Sequence, residues 1–150
     1  MELLKVKIVS SLFSQEELLP EYKTPGSAGM DLRAAIPEPI TLIPGEIRLV
    51  PSGIAISLGE TRAVALVYAR SGLAAKHGIA LANGVGVIDA DYRGEILCPL
   101  INQSQKDFIL NPLERMAQLV IAPIFMPPLA VVEELDDTLR GSGGFGHTGK

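Results

Sequence analysis

An all-β domain of the sandwich or jelly-roll kind, with one short helix and a glycine-rich C-terminal arm, is the fold class this sequence predicts. Three observations predict it. Apolar and polar residues alternate with period two over several short runs, the spacing of a strand with one buried face. Fifteen glycines and eleven prolines are scattered through 150 residues; they supply frequent turns, follow no collagen-like period and disfavour a helical bundle. The chain is 47% hydrophobic and 20% charged, the reverse of a disordered composition. A chain of this length then folds as one domain with a sizeable core.

Taken in order, Leu4-Lys5-Val6-Lys7-Ile8 sorts apolar and charged residues onto opposite faces of a first strand. Ile47 and Leu49 alternate with Glu46 and Arg48, and Ile54, Ile56 and Leu58 with Ala55 and Ser57. The runs 62–68 and 95–101 read as more fully buried strands. Pro44-Gly45, Leu58-Gly59 and Arg93-Gly94 supply turns between them. Strands recurring about every 8–12 residues lead to a sandwich or jelly roll. The one helical exception is Ser71 to Gly78, with Ser71 as N-cap, Gly78 as C′ residue and about two turns between them. His77 falls in its last turn and reads as a surface residue suited to the helix dipole. The domain is expected over residues 1–139 and the arm over 140–150.

Thirteen basic residues against seventeen acidic ones leave a net charge of −4 and a pI near 5.2. No Lys/Arg cluster is present to displace the counterions of duplex DNA, so a nucleic-acid-like ligand would be small and held at a specific site. A single cysteine, Cys98, allows no intrachain disulfide and suits a reducing compartment. No signal peptide is read at the start, and the longest apolar stretch, Met116 to Val132, is broken by Pro123, Pro127 and Pro128. It falls short of the roughly 20 residues of a membrane helix. A cytoplasmic protein without a membrane span is expected.

Three segments concentrate groups that can do chemistry, and each admits two readings. Arg70-Ser71-Gly72 is either an ordinary helix start beside an exposed arginine or an anion site built from a guanidinium fork and a hydroxyl. Asn83 to Gly94 contains Asp89 just after Val85, Val87 and Ile88. It is either a hairpin turn rich in turn-formers or a carboxylate held against a dry wall to orient and deprotonate water. Asp89, Asp91 and Glu95 lack a firm metal spacing, although Mg2+ carried by a polyphosphate needs little protein ligation. The tail from Arg140 to Lys150, with its five glycines and Phe145, is either a frayed terminus or a strap that wraps an anion. Its formal dinucleotide and P-loop spacings fail because no βαβ unit surrounds them.

Together these pieces resemble a known family. Ala28-Gly29-Met30-Asp31-Leu32-Arg33-Ala34, then Arg70-Ser71-Gly72-Leu73-Ala74, then Asn83 with the run from Gly86 to Glu95 occur in that order. Arg115-Met116-Ala117-Gln118-Leu119 and the run from Arg140 to Gly146 follow. They resemble the five ordered motifs of the homotrimeric dUTPases, over nearly the whole chain from about residue 24. One departure is Ala69, where that family commonly has proline.

The resemblance implies a jelly roll and the hydrolysis of dUTP to dUMP and pyrophosphate, which limits uracil in DNA and supplies dUMP for dTMP synthesis. It implies a homotrimer whose sites combine the Asp31, Ser71 and Gln118 motifs of one subunit with the hairpin of a second and the arm of a third. Asn83, the main chain at Val87 and Ile88, and backbone near Leu97 would read uracil; Tyr92 would lie against the deoxyribose and exclude a 2′-hydroxyl. Asp89 would activate water, and Ser71 would donate to the oxygen bridging the α- and β-phosphates. Arg70, Gly72, Gln118 and Arg140 belong on the phosphate side, and Phe145 with Gly146 would cover the base. Mg2+ would ride on the phosphates with Asp31 as a partner through water. Arg115 is either structural or phosphate-side. Two rivals on the same scaffold are a dCTP deaminase and a non-catalytic nucleotide sensor; the Ile88-Asp89 segment and the complete tail favour the hydrolase.

Overall fold

The computed structural model describes residues 3–59 and 62–144. Among the described residues ten strands and two short helices follow one another. They are β1 (Lys5–Ile8), α1 (Gln15–Leu18), β2 (Met30–Arg33), β3 (Ile40–Leu42), β4 (Ile47–Ser57) and β5 (Ala63–Ala69), then α2 (Ser71–His77), β6 (Ile79–Leu81), β7 (Gly86–Ile88), β8 (Glu95–Asn102), β9 (Phe108–Leu110) and β10 (Arg115–Pro123). Two four-stranded sheets form, in the orders β1-β4-β8-β6 and β2-β10-β5-β7, with a separate β3-β9 ribbon. Every pairing is antiparallel. Sequence-distant neighbours such as β2-β10 and β4-β8 make this a jelly roll, as the alternation predicts.

One core joins the layers. Ile54, Ile56, Cys98 and Leu100 enter it from the first sheet, Leu32, Val67, Ala117 and Leu119 from the second, and Leu42 and Leu110 from the ribbon. Alternation explains the choice: in β10 the buried Ala117 and Leu119 flank Gln118, which points the other way. The ribbon is stitched to the first sheet by Asn102, which is fully buried. Its Nδ2 donates to the carbonyls of Leu42 and Lys106, both at 2.8 Å, and its Oδ1 accepts from the Ser104 amide and hydroxyl at 2.9 and 2.8 Å.

Several local expectations are corrected. The two alternating runs 47–49 and 54–58 belong to one strand, β4, whose register against β8 shifts between Pro51 and Ala55. Gly53 makes that shift possible with φ 73°, and a Cβ there would stand 2.6 Å from Leu18 Cδ1 and 2.9 Å from Ala35 Cβ. Leu18 comes from a helix the composition reading did not include. In that single turn, α1, the Glu17 carboxylate accepts from the Ser14 amide at 2.8 Å and hydroxyl at 2.9 Å. These bonds, the amide's first, hold the Glu17 carboxyl below the usual carboxylate range. The run 95–101 is not buried on both faces: β8 alternates, with Ile96, Cys98 and Leu100 inside and Leu97 outside.

Candidate active site

The outer face of the second sheet carries one polar cluster. Asp31 of β2 lies opposite Gln118 of β10, which lies opposite Tyr68 of β5. Because their neighbours Met30, Leu32, Ala117, Leu119 and Val67 turn into the core, these three share the outward face. Asp31 Oδ1 accepts from Arg70 Nε at 2.8 Å, and its Oδ2 accepts from Arg115 Nη1 at 3.2 Å. Arg70 Nη1 also donates to the Arg115 carbonyl at 3.2 Å, while Gln118 Nε2 donates to the Ala69 carbonyl at 3.0 Å. The Asp31 side chain is only 15% exposed, so the triad is partly withdrawn from screening water. One carboxylate against two guanidinium groups leaves a net positive charge and several unused donors, a fitting seat for phosphate oxygens. The sequence left Arg115 undecided: three residues before Gln118 a regular strand would turn it to the other face, and the register shift between Arg115 and Ala117 brings it to Asp31.

Arg70 corrects a second expectation. It, not Ser71, is the N-cap of α2, and no side-chain bond caps the helix, since a guanidinium has no acceptor. Its backbone supplies the cap geometry, and its carbonyl accepts from the Ala74 amide at 3.0 Å. Ser71 opens the first turn, exposed beside Gly72, where a Cβ would meet nothing within 4 Å. Gly78 closes the helix in the left-handed conformation at φ 67°, as expected. His77 is exposed, its ring centroid 5.2 Å from that of Phe108.

A second feature is a cleft of roughly 240 Å3 lined by Asn83, Val87, Ile88, Asp89, Tyr92 and Leu97, with Val67, Leu81, Ile96 and Pro99 adding apolar wall. It opens where β6 and β7, terminal strands of the two sheets, are joined. Gly84 turns the connection at φ 73°, with its amide donating to the Leu81 carbonyl at 3.0 Å. Beyond β7 the chain turns again: the Tyr92 amide donates to the Asp89 carbonyl at 3.1 Å. Arg93 Nη1 donates to the carbonyls of Ala90 and Tyr92 at 2.7 and 2.8 Å, and Tyr92 Oη to the Glu95 carbonyl at 3.0 Å. Such a terminal strand offers unpaired main-chain donors and acceptors beside an apolar wall, which suits a flat heterocycle. Asp89 lies at the rim and is exposed in the single chain, so this chain alone does not provide the dry wall.

The two features are separate within one chain. Asp31, Arg70, Ser71, Gly72 and Gln118 do not line the cleft, and strand β5 stands between β10 and β7. Arg140 does not line the cleft; it lies in an exposed turn where its Nε donates to the Gly143 carbonyl at 2.9 Å. Phe145 and Gly146 lie outside the described residues. Among the described residues no three His, Cys, Asp or Glu side chains group as metal ligands, and both Asp31 oxygens already accept from arginines. That donor set does not cage a cation and fits only one that arrives on a ligand's phosphates, met through water. No helix among the described residues is long and apolar enough to cross a membrane.

Comparison with known proteins agrees with the motif order. The family model for dUTPase matches residues 15–149. A deoxyuridine 5'-triphosphate nucleotidohydrolase of Desulfitobacterium hafniense is 49% identical over 149 residues, covering 99% of each chain. One from Thiobacillus denitrificans is 52% identical over 145 residues, covering 97% of this chain and 98% of its own. Among solved structures, Staphylococcus bacteriophage 80alpha dUTPase with dUPNHPP superposes with a TM-score of 0.87 at 28% identity over 100% of both chains. A variant dUTPase from phage phi11 of S. aureus, solved for the coordination of a structural Mg(II) ion, gives 0.79 at 25% identity, covering 91% of this chain and 100% of that one. With the family model spanning nearly all of it and relatives at about half identity end to end, this chain belongs to the dUTPase family.

Proposed function

We propose that this protein hydrolyses dUTP to dUMP and pyrophosphate, by attack of a water activated by Asp89 on the α-phosphorus. The observation that carries the reading is the division of the site. A cleft suited to a base, at the join of the two sheets, carries Asp89 at its rim, and a cluster suited to phosphate lies apart on the second sheet. A complete site then needs the cleft of one copy to face the Asp31 cluster of another, with the arm of a third copy closing over both. Ile47, Leu49 and Leu97, exposed on the outer face of the β4-β8 pair, are an apolar surface that further copies would cover in a homotrimer.

In that arrangement uracil meets the free edge of β7 at Val87 and Ile88 and the side chain of Asn83. An edge that pairs with uracil's O4 and N3–H leaves cytosine's polar groups unpaired, which is a strong basis for rejection. Tyr92 stands against the sugar and Leu97 beside the base. The water oxygen bonds to the α-phosphorus, its proton passes to Asp89, and the bond to the α,β-bridging oxygen breaks as pyrophosphate departs. Ser71 donates to that bridging oxygen as negative charge grows on it. Arg70, Arg115 and Gln118 hold the phosphates at the main site, Gly72 leaves room for them, and Arg140, Phe145 and Gly146 come with the arm. Mg2+ bound to the triphosphate neutralises part of its charge; Asp31 is its candidate partner through water. Measuring pyrophosphate release from each deoxynucleoside triphosphate tests the reading. Release from dUTP alone is expected; equal release from dCTP or dTTP, or conversion of dCTP to dUTP, would overturn it.

A further inference from the structure

We infer that Gly94 is a specificity-positioning residue, whose bare Cα is the seat that holds the Tyr92 ring in place against the sugar. The inference rests on the sugar-facing role of Tyr92 proposed above and assigns what keeps that ring there. An ideal Cβ built on Gly94 would stand 2.3 Å from Tyr92 Oη, 2.5 Å from Cζ and 3.0 Å from Cε2. Every one of these atoms belongs to the phenol end of a side chain that lines the cleft. The ring therefore lies across residue 94, and its hydroxyl reaches over to the Glu95 carbonyl at 3.0 Å. Contact below and a hydrogen bond at the tip together fix both torsions of a side chain that is otherwise 45% exposed.

The backbone at Gly94 does not itself call for glycine. Its φ is not positive, unlike that of Gly84 in the preceding turn, so alanine is conformationally acceptable there and the requirement is one of space. When a Cβ intrudes, the softest neighbour yields. Glu95 is paired with Ala55 in the sheet, and its Oε1 accepts from the Gly53 amide at 2.7 Å. The strand is thus anchored on two sides while the phenol is held only by its tip. The ring leaves its seat, the bond to the Glu95 carbonyl breaks, and the wall facing the 2′ position of the sugar is no longer fixed.

Gly94→Ala, Tyr92→Ala and the double variant, each assayed with dUTP and UTP, test this. Gly94→Ala should remain folded, keep dUTP kcat/KM within about tenfold, and lower the dUTP/UTP ratio of kcat/KM by about 10-fold or more. In the double variant the alanine at 94 should change the ratio no further, because its effect passes through the ring. In spectra of tyrosine-labelled protein, the Tyr92 ring signals should move in Gly94→Ala while those of Tyr22 and Tyr68 stay. An unmoved Tyr92 signal, or an effect of equal size without Tyr92, overturns the seat. A lowered ratio in Tyr92→Ala with an unaltered one in Gly94→Ala overturns the role of Gly94 alone. An unaltered ratio in Tyr92→Ala overturns the sugar-wall reading itself, whatever the spectra show of the seat.

Discussion

Asp31 illustrates how much one side chain can organise. Its two oxygens are each committed to a different arginine, and charge-assisted bonds of this kind contribute roughly 1.5–3 kcal/mol apiece when partly buried. Asp31→Asn keeps one acceptor oxygen but turns the other into a donor, so it should release one guanidinium group, remove the charge facing both, and lower kcat/KM for dUTP by about 10- to 100-fold; unchanged steady-state kinetics would remove it from the site. Asp89 plays a different part. Asp89→Asn should retain binding of dUPNHPP, measured calorimetrically, while turnover falls by about 10²–10⁴. The single thiol contributes to neither. Burial pushes Cys98 up to about 12, so the folded state favours the neutral form. The stability this gives is fully present below the ordinary thiol value and is lost as pH rises towards 12. Native protein should therefore resist a thiol reagent at pH 8 and react stoichiometrically in denaturant; rapid native labelling would contradict the burial.

At the scale of elements, β1, β4, β5 and β8 were legible, while the nine-residue β10 read only as an apolar stretch and the three-residue β3 and β9 were not read. β1 follows the alternation, but β4 does not: Ile47 and Leu49 are exposed along with Arg48, and Ile54, Ala55 and Ile56 are all buried. β3 and β9 have three residues each, too few for a period to declare itself. The one-turn α1 was readable in Ser14-x-x-Glu17, a capping-box spacing, but a single turn has no periodicity to support it. The N-cap of α2 fell one residue earlier than its serine suggested: Arg70 has the extended backbone of a cap, while its side chain bonds Asp31. Asn102 is the element-level stitch with the most to lose. Asn102→Ala leaves the buried Leu42 carbonyl without this donor and removes the bonds to the Lys106 carbonyl and to the Ser104 amide and hydroxyl, and should cost about 3 kcal/mol, or roughly 6–12 °C in Tm. A change under 2 °C by calorimetry, taken at about the smallest effect of 1 kcal/mol, would mean that water replaces the bonds.

For the whole molecule, the exposed arm and the divided site lead to one expectation. Residues 125–142 are exposed throughout, including Phe125, Leu129 and Val131, and such apolar surface is rarely left in water. Truncation after Thr138 should preserve the trimer in sedimentation yet cripple hydrolysis; dissociation to monomers would show that the arm holds subunits together. Leu49→Glu places a charge on the outer face of the β4-β8 pair and should dissociate the assembly, with activity lost in proportion. A fully active monomer would overturn the shared site.

The sequence by itself determined the β class, the glycine turns at Gly45, Gly59 and Gly78, and the order of the five motifs, because each of these is a local property. Alternation, left-handed turns and short spacings are set by neighbours along the chain. The tertiary structure decided what distance along the chain conceals. It brought Arg70 and Arg115 onto the Asp31 carboxylate and kept the cleft apart from that cluster. These depend on strand order and register, which pair residues 39 and 84 positions apart. No pattern read within a window of sequence contains that information.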